Sequence, residues 1–503
     1  MSKPLHTAHL LAAAFITALL FLSTPAFATI VYTNGQDRTT PITSTDTLQV
    51  DNSDVSTQSG VISGAGTAIT KTGSGILTLS GANTYSGATN LNSGILKAGA
   101  DFVFSSTSAP TIHTGATLDL DGRNESIRQI YLDGGTLRNG WLVDYFTQYF
   151  TPQISSTGGK IENIYTQYGM TLNVSSGTTY LVGSVTGEAI VNSGTLNLAG
   201  LTSGVPYSAT VYGSGIVDYG GTTQNSGPIG LYGGTVQNGN LNGRYSIYST
   251  DGTINNVGGK VVVNAIKGTT TLRGTNNYSG YTYVTTGYVV DQSSVTGTSF
   301  TSARLLAGAE NTLSPHSDMY VNGDATLDLG GFHQTLKSLT LNIPSLPVTP
   351  LPVPQQSILV VGLTDAAPAL TVTGNATLGG RLVLNFLGNN PQTQYTVIKA
   401  GSITGEFASI TINAPPSFTV GNLVYSPTTV TLIVVDTTPP PAPTGVSELG
   451  SSISSTVTSS NQASATIFDH LGESGSGDTG ANSERDTLTF VSLTNKSISN
   501  SEN

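Results

Sequence analysis

The feature that most constrains the fold is a short, glycine-punctuated unit that returns many times along the chain. One copy, Thr72 to Gly99, reads TGSGILTLSGANTYSGATNLNSGILKAG, with alternating Ile, Leu and Thr between the glycines. Related units begin at glycines spaced roughly 20 residues apart. These glycines are Gly75, Gly94, Gly115, Gly135, Gly159, Gly177, Gly194, Gly215, Gly234, Gly252, Gly268 and Gly287. No single unit buries enough apolar surface to fold alone, so the units must stack into a solenoid.

The length of the unit indicates which kind of solenoid forms. About 20 residues leave room for three short strands of about 4 to 5 residues and three turns. Thr, Val and Ile suit strands because branched side chains fit a pleated surface, and glycine suits the sharp turns. The sequence therefore predicts an all-β fold, a parallel β-helix in which each coil rests on the next.

Two longer segments of the sequence recur far apart. Asn83-Thr-Tyr-Ser-Gly87 returns as Asn276-Asn-Tyr-Ser-Gly280, and Thr117-Leu-Asp-Leu120 returns as Thr326-Leu-Asp-Leu329. Such matches indicate that similar coils are built twice.

Composition excludes several classes of function. Only 9% of the residues are charged, the formal net charge is -11, and there is no cysteine. Binding to a nucleic-acid backbone needs clustered Lys or Arg, which the sequence lacks. Without cysteine the chain has no disulfide, thiolate ligand or thiol nucleophile, and its histidines lack zinc spacing. We therefore expect no metal, no cofactor and no nucleic-acid partner.

The N-terminus has the three parts of a secretory signal peptide. Lys3 gives a positive start, Leu10 to Leu22 is apolar, and Ala26-Phe27-Ala28 is a small-x-small cleavage site. The alternative is a membrane anchor, but the apolar run is shorter than the roughly 20 residues that cross a bilayer. We therefore expect residues 1–28 to be a signal peptide.

Changes in composition divide the rest of the chain. The regular spacing of glycines, the proline clusters and the acidic residues mark the expected boundaries between segments. The expected segments are an N-terminal cap (29–60), the β-helix (61–341), a Pro-rich loop (342–357), a C-terminal β region (358–435), a Pro-rich linker (436–446) and an acidic, largely disordered tail (447–503).

The densest acidic cluster is a candidate catalytic or metal site. Asp119, Asp121 and Glu125 lie close in sequence beside Arg123, and alternation places Leu118 and Leu120 inward. Converging carboxylates are what polysaccharide lyases and hydrolases need. The other interpretation is a solvated strand face and turn, which we favour because exposed charges are usual.

An aromatic run is the candidate binding patch. The interval between Gly135 and Gly159 is longer than the other glycine intervals and contains Trp141, Tyr145, Phe146 and Tyr149. One interpretation is a small helix or hairpin loop that covers the solenoid, since aromatic side chains mostly pack. The other is a platform for sugars or a partner protein.

The unit at 72–99 closely resembles the autotransporter-associated β-strand repeat, also called the passenger-associated transport repeat. A degenerate second copy covers 271–290. The positions of the first copy that match that pattern are Gly73, Gly75, Leu77, Leu79, Gly81, Asn83, Thr84, Tyr85, Gly87, Thr89, Leu91, Gly94 and Leu96.

The resemblance implies a right-handed parallel β-helix that a Gram-negative cell displays or releases. Passengers of this kind commonly serve adhesion, aggregation or a biofilm matrix, and some carry enzymes. We therefore expect a non-enzymatic protein that contacts a host or neighbouring cell surface, or a polysaccharide. The alternative is a β-helix polysaccharide lyase or glycoside hydrolase.

The resemblance also raises the question of export. A full autotransporter ends in a translocator barrel of over 200 residues, yet only about 60 residues follow Pro443. We therefore expect this sequence to lack the barrel, as a truncated gene or with a separate exporter. Without a translocator the protein would stay in the periplasm.

Overall fold

The computed structural model describes residues 28–143, 151–202, 207–243, 246–285, 302–341, 356–365, 367–388, 392–416 and 418–435. All of these belong to one unit, Met1–Thr438. Residues 1–27 of the expected signal peptide, the linker, the tail and most of the Pro-rich loop lie outside the described residues. Within the described ranges every regular element is a β-strand, which confirms the predicted all-β class.

The first eighteen strands are β1 Ala28–Tyr32, β2 Asp37–Arg38, β3 Asp46–Val50, β4 Val55–Gln58, β5 Ile69–Thr72, β6 Ile76–Leu79, β7 Thr89–Leu91, β8 Gly94–Ala98, β9 Thr111–His113, β10 Ala116–Asp119, β11 Asn124–Glu125, β12 Gln129–Leu142, β13 Gln153–Thr166, β14 Met170–Val174, β15 Thr178–Val185, β16 Gly187–Val191, β17 Thr195–Leu201 and β18 Tyr207–Tyr212. The other eighteen are β19 Ile216–Gln224, β20 Ser226–Leu241, β21 Ser246–Gly259, β22 Val262–Ala265, β23 Gly268–Arg273, β24 Thr282–Thr285, β25 Ala303–Ala307, β26 Asp318–Asn322, β27 Thr326–Asp328, β28 Gln334–Leu336, β29 Ser338–Leu341, β30 Ile358–Leu363, β31 Leu370–Thr377, β32 Arg381–Phe386, β33 Gln394–Thr404, β34 Ser409–Asn413, β35 Thr419–Tyr425 and β36 Thr429–Val435.

The strands stack as a parallel β-solenoid of about 16 turns, as the glycine spacing predicts. Each coil contributes to up to three parallel ladders, which we call A, B and C in chain order. In the coil around the repeat, β7 lies on ladder A and β8 on ladder B. Ladder C has strands in some coils only, such as β11 against the end of β12.

The core is a stack of inward side chains held in register. Leu77 pairs with Leu96, which pairs with Leu118 on the next coil, and Leu118 pairs with Leu137. All four are fully buried, so each coil covers the apolar face that its neighbour would otherwise expose.

The sequence predicts short strands in every coil, but some of the observed strands are much longer. β12 and β13 are 14 residues long and β20 is 16 residues long. Each crosses from one ladder to the next through a register shift, as between Leu132 and Asp133. The physical reason is that positive-φ corners such as Gly134 and Asn139 bend the backbone sharply without interrupting its pairing.

The repeating glycines lie at the corner that leads into ladder B. A Cβ on Gly94 would overlap with the carbonyl oxygen of Gly73 on the preceding coil, and Gly94 has φ +69°. The expected unit at Gly287 lies outside the described residues. On ladder B, β23 pairs directly with β25.

The two ends of the stack are built differently. β1 already pairs in parallel with β3, so parallel stacking begins within the expected N-terminal cap. Beyond residue 341, β30 pairs with β27 and continues ladder B. The last strand of the described residues, β36, runs antiparallel to β33 and β35. No helix within the described residues is suited to crossing a membrane.

We predict that Gly94→Ala costs about 2 kcal/mol or more in the free energy of unfolding. The added methyl group would meet backbone atoms of the coil below, and an L side chain disfavours the positive φ. Urea unfolding followed by circular dichroism measures the cost. Gly388→Ala is the matched control, because a Cβ there meets no atom within 4 Å. Equal stability of the two variants would contradict this account of the corner.

Candidate functional site

The repeat motif places its apolar residues inward and its glycines at coil contacts. Leu77 and Leu79 on β6 are fully buried. The predicted positions Gly73, Gly75, Gly81, Gly87 and Gly94 each face backbone of the preceding coil so closely that a Cβ would collide with it. The motif's glycines are therefore spacing elements between coils.

Asn83 joins three successive coils through its side-chain amide. The backbone N–H of Ile62 donates to Asn83 Oδ1 at 2.7 Å, and Asn83 Nδ2 donates to the carbonyl oxygen of Val103 at 2.7 Å. This corner has no ladder strand, so the amide satisfies backbone groups that would otherwise be buried without partners.

Tyr85 anchors a buried chain of hydroxyl groups. Its hydroxyl is hydrogen-bonded to Thr89 Oγ1 at 2.7 Å, and Thr89 Oγ1 is hydrogen-bonded to Ser108 Oγ at 2.6 Å. Burial raises the pKa of Tyr85 to about 12, so the phenol stays neutral inside the coil.

The degenerate second copy repeats this network. Tyr278 hydrogen-bonds Thr282 at 3.0 Å, and Thr282 hydrogen-bonds Ser317 at 2.8 Å. Asn276 accepts from the N–H of Val257 and donates to the carbonyl oxygen of Thr312. We call residues 69–125 the first module and the described part of residues 262–334 the second module.

A buried side chain closes each module with the same hydrogen bonds. In the first, Glu125 accepts the N–H groups of Val103 and Phe104 at 3.2 and 3.1 Å. In the second, Gln334 Oε1 accepts those of Thr312 and Leu313 at 2.9 and 3.0 Å. The structure therefore accepts either a carboxyl or an amide at this position.

The acidic cluster predicted from the sequence does not converge. Asp119 is nearly buried beneath Arg138, with an ion pair of 2.8 Å, and Asp121 pairs with Lys97 at 3.1 Å. Glu125 points inward and is fully buried. The interpretation of a solvated face is therefore wrong for Asp119 and Glu125, because neighbouring coils cover both side chains.

The aromatic patch is described only at its first residue. Trp141 lies near the end of strand β12, not in a loop, and stacks on Tyr165 of the next coil with 4.8 Å between ring centroids. Tyr145, Phe146 and Tyr149 lie outside the described residues.

Several side chains of consequence were missed at the sequence level. Lys71 is buried on the inner side of β5, where its ammonium donates to the carbonyl oxygens of Thr72, Gly73 and Ser93. Strict alternation of inward and outward side chains from Ile69 would have predicted that Lys71 points inward. Tyr281, Tyr283 and Tyr320 meet on the outside of the solenoid, which no spacing in the sequence indicates.

The outer face of ladder A carries a column of mainly polar and aromatic residues. Its outward positions are hydroxyl, amide and phenol groups in most coils, and they align from coil to coil. In register they are Thr47, Thr70, Asn90, Thr111, Tyr131, Ser155, Asn173, Ile190, Thr210, Gly230, Tyr248, Asn264, Tyr283, Tyr320 and Thr340.

An uncharged cleft lies at the corner between ladders B and C. It has a volume of about 510 Å³. Its lining is Gly220, Gly221, Asn238, Gly239, Asn240, Asn256, Gly258, Thr275 and Asn277. Within the described ranges, no group of three or more His, Cys, Asp or Glu side chains could hold a metal ion.

Comparison with known proteins finds a family match for the repeat segment. Residues 69–98 match the family described as Passenger-associated-transport-repeat. The chain carries a passenger-associated transport repeat. No curated protein matches the chain. The repeat and the β-solenoid together are those of an autotransporter passenger-like protein, and the repeat implies a protein that is secreted or held at the cell surface.

Glu125 gives the first module a distinctive pH dependence. Burial raises its pKa from 4.5 to about 8, although hydrogen bonds from Phe104 and Val103 oppose the shift. Between these two pH values the folded protein keeps a proton that the unfolded chain has released. Stability therefore falls as the pH rises through this window and levels off above it.

We predict that Glu125→Gln matches the wild type near pH 4.5 and is more stable by about 1–3 kcal/mol near pH 8. Urea unfolding at both pH values measures the difference. The converse variant, Gln334→Glu, should lose stability near pH 8 only. Parallel pH profiles for all three proteins would show that the carboxyl group is not held in this way.

Proposed function

We propose that the protein is an exported β-solenoid that acts by adhesion, binding a cell surface or a polysaccharide along its outer faces. The observation that carries this proposal is the outer column of ladder A, in which hydroxyl, amide and phenol groups align over many coils. Repeated, uncharged polar groups of this kind suit many modest contacts spread along a surface.

The passenger-associated transport repeat supports the same proposal. It implies a protein that leaves the cytoplasm, and adhesion and aggregation are common roles for passengers that resemble this one. Under this proposal the signal peptide directs export, and the mature chain works at the cell surface or outside the cell.

The placement of carboxyl groups favours adhesion over the alternative of a polysaccharide lyase or hydrolase. A general acid must be accessible and must have a raised pKa. Glu125 has a raised pKa but no exposure. Asp133 is exposed, but hydrogen bonds from His113 and Thr157 lower its pKa. Neither Glu125 nor Asp133 thus meets both requirements.

We predict saturable binding of the purified, fluorescently labelled full chain to washed Gram-negative cells, measured by flow cytometry. Asp121→Asn and Asp133→Asn should bind within about twofold of the wild type, because an exposed charge contributes little to contacts spread along the surface. In parallel, reducing ends and unsaturated products are measured after incubation with a panel of polysaccharides.

Two results would overturn the proposal. One is the absence of saturable binding to any tested cell. The other is cleavage of a polysaccharide that either Asp→Asn variant abolishes, which would establish the enzymatic alternative.

A further inference from the structure

The two modules act as an internal reference for what the fold requires. Their buried hydrogen-bonding groups are equivalent, since Tyr85 with Thr89 corresponds to Tyr278 with Thr282. Both tyrosines are fully buried. A residue that differs between the modules at the same outward position is therefore not dictated by this network.

Three outward positions on ladder A or next to it differ in the same direction. Ala88, Asn90 and Thr111 of the first module are replaced in the second by tyrosines. The pairing is unchanged, because Asn90 faces Thr111 in one module and Tyr283 faces Tyr320 in the other. The solenoid thus accepts small residues at these positions, and the tyrosines call for an explanation other than folding.

The three replacements form one cluster, which we call the tyrosine patch: Tyr281, Tyr283 and Tyr320. Tyr283 and Tyr320 are stacked, with centroids 5.3 Å apart and an interplanar angle of 18°. Tyr281 is tilted against both, with each centroid distance at 5.9 Å, and it is 47% exposed. The patch therefore offers one open ring beside two rings whose stacking fixes their orientation.

An ion pair borders the tyrosine patch and leaves it neutral. Lys337 Nζ lies 2.7 Å from Asp318 Oδ2, and Ser338 donates to the other carboxylate oxygen. The first module has Ala109 at the position of Asp318, so an equivalent ion pair cannot form there. Burial, with Tyr320 and Tyr281 nearby, raises the pKa of Tyr283, which keeps that phenol uncharged.

We propose that the tyrosine patch is a binding site for neutral saccharides. A pyranose presents a face of C–H groups that packs on an aromatic ring and a rim of hydroxyls that hydrogen-bonds phenol, carboxylate and ammonium groups. Charge complementarity favours an uncharged ligand, because the cation of Lys337 and the anion of Asp318 beside the patch neutralise each other. The inference rests on the proposed adhesive function and names its ligand class.

A protein partner fits these observations less well. Stable protein interfaces bury about 800 Å² on each side around an apolar, desolvated centre. The tyrosine patch instead lies in a polar column, between Asn264 on one neighbouring coil and Thr340 on the other. Three aromatic rings in polar surroundings suit contact with one or two sugar rings.

The test uses residues that the chain itself supplies. In the full chain, Tyr281→Ala, Tyr283→Asn and Tyr320→Thr together give the second module the outer residues of the first. Tyr180→Asn is the matched control, because this tyrosine is exposed on ladder B opposite Asn197. Binding to immobilised dextran, mannan, galactan and, for comparison, anionic polygalacturonate is measured by biolayer interferometry.

We expect the wild type to bind at least one neutral polysaccharide and the triple variant to bind it roughly tenfold or more weakly. Tyr180→Asn should stay within about twofold of the wild type, and the thermal midpoints of all three proteins should agree. Equal binding by the triple variant, binding to the anionic polymer alone, or no binding to any neutral polysaccharide would overturn the inference.

Retention on cells separates this inference from the proposed function. If the wild type and the triple variant adhere equally, adhesion stands and the tyrosine patch is excluded. If neither adheres, the proposed function itself fails. Wild-type adhesion that survives periodate oxidation of the cell-surface sugars but not protease treatment would point to a protein partner and would also overturn the inference.

Discussion

Close stacking of one coil's backbone on the next is the constraint on which the rest of this structure depends. At the corner that leads into ladder B, the carbonyl oxygen of Gly73 lies where a Cβ on Gly94 would stand. Glycine spacing therefore fixes the coil length, and the coil length holds Leu77, Leu96 and Leu118 in register. Where ladder C lacks a strand, buried side chains such as Asn83 take over the hydrogen bonds between coils.

A structural feature can be predicted from the sequence when the residues that determine it lie close together along the chain. Glycine spacing and alternation are local, so they correctly indicate parallel coils with Leu118 and Leu120 inside. The partners of Glu125 are N–H groups of Val103 and Phe104 on the preceding coil, so neighbouring residues do not reveal that it is buried. Tyr283 and Tyr320 are register partners. Residues 286–301 lie between them in the sequence, so their separation along the chain is well beyond the length of one ordinary coil.

The two modules separate the residues that build the solenoid from those that it displays. Both keep the buried pair of tyrosine and threonine, and both close with a carboxyl or amide group that accepts two backbone N–H groups. Their outer positions can differ because these side chains point away from the buried network that the two modules share. Such an architecture can change what it binds without altering its core, which agrees with an adhesive role for a passenger-like protein.

The central claim, parallel coils in register, is tested most directly by pairs of spin labels, since the chain has no native cysteine. Cysteines at Thr117 and Thr136, which are register partners on adjacent coils, should give strongly dipolar-broadened spectra. Cysteines at Thr117 and Thr111 are closer in sequence but lie on different ladders, and they should give weak broadening. The reverse order of broadening would contradict the stacked-coil account.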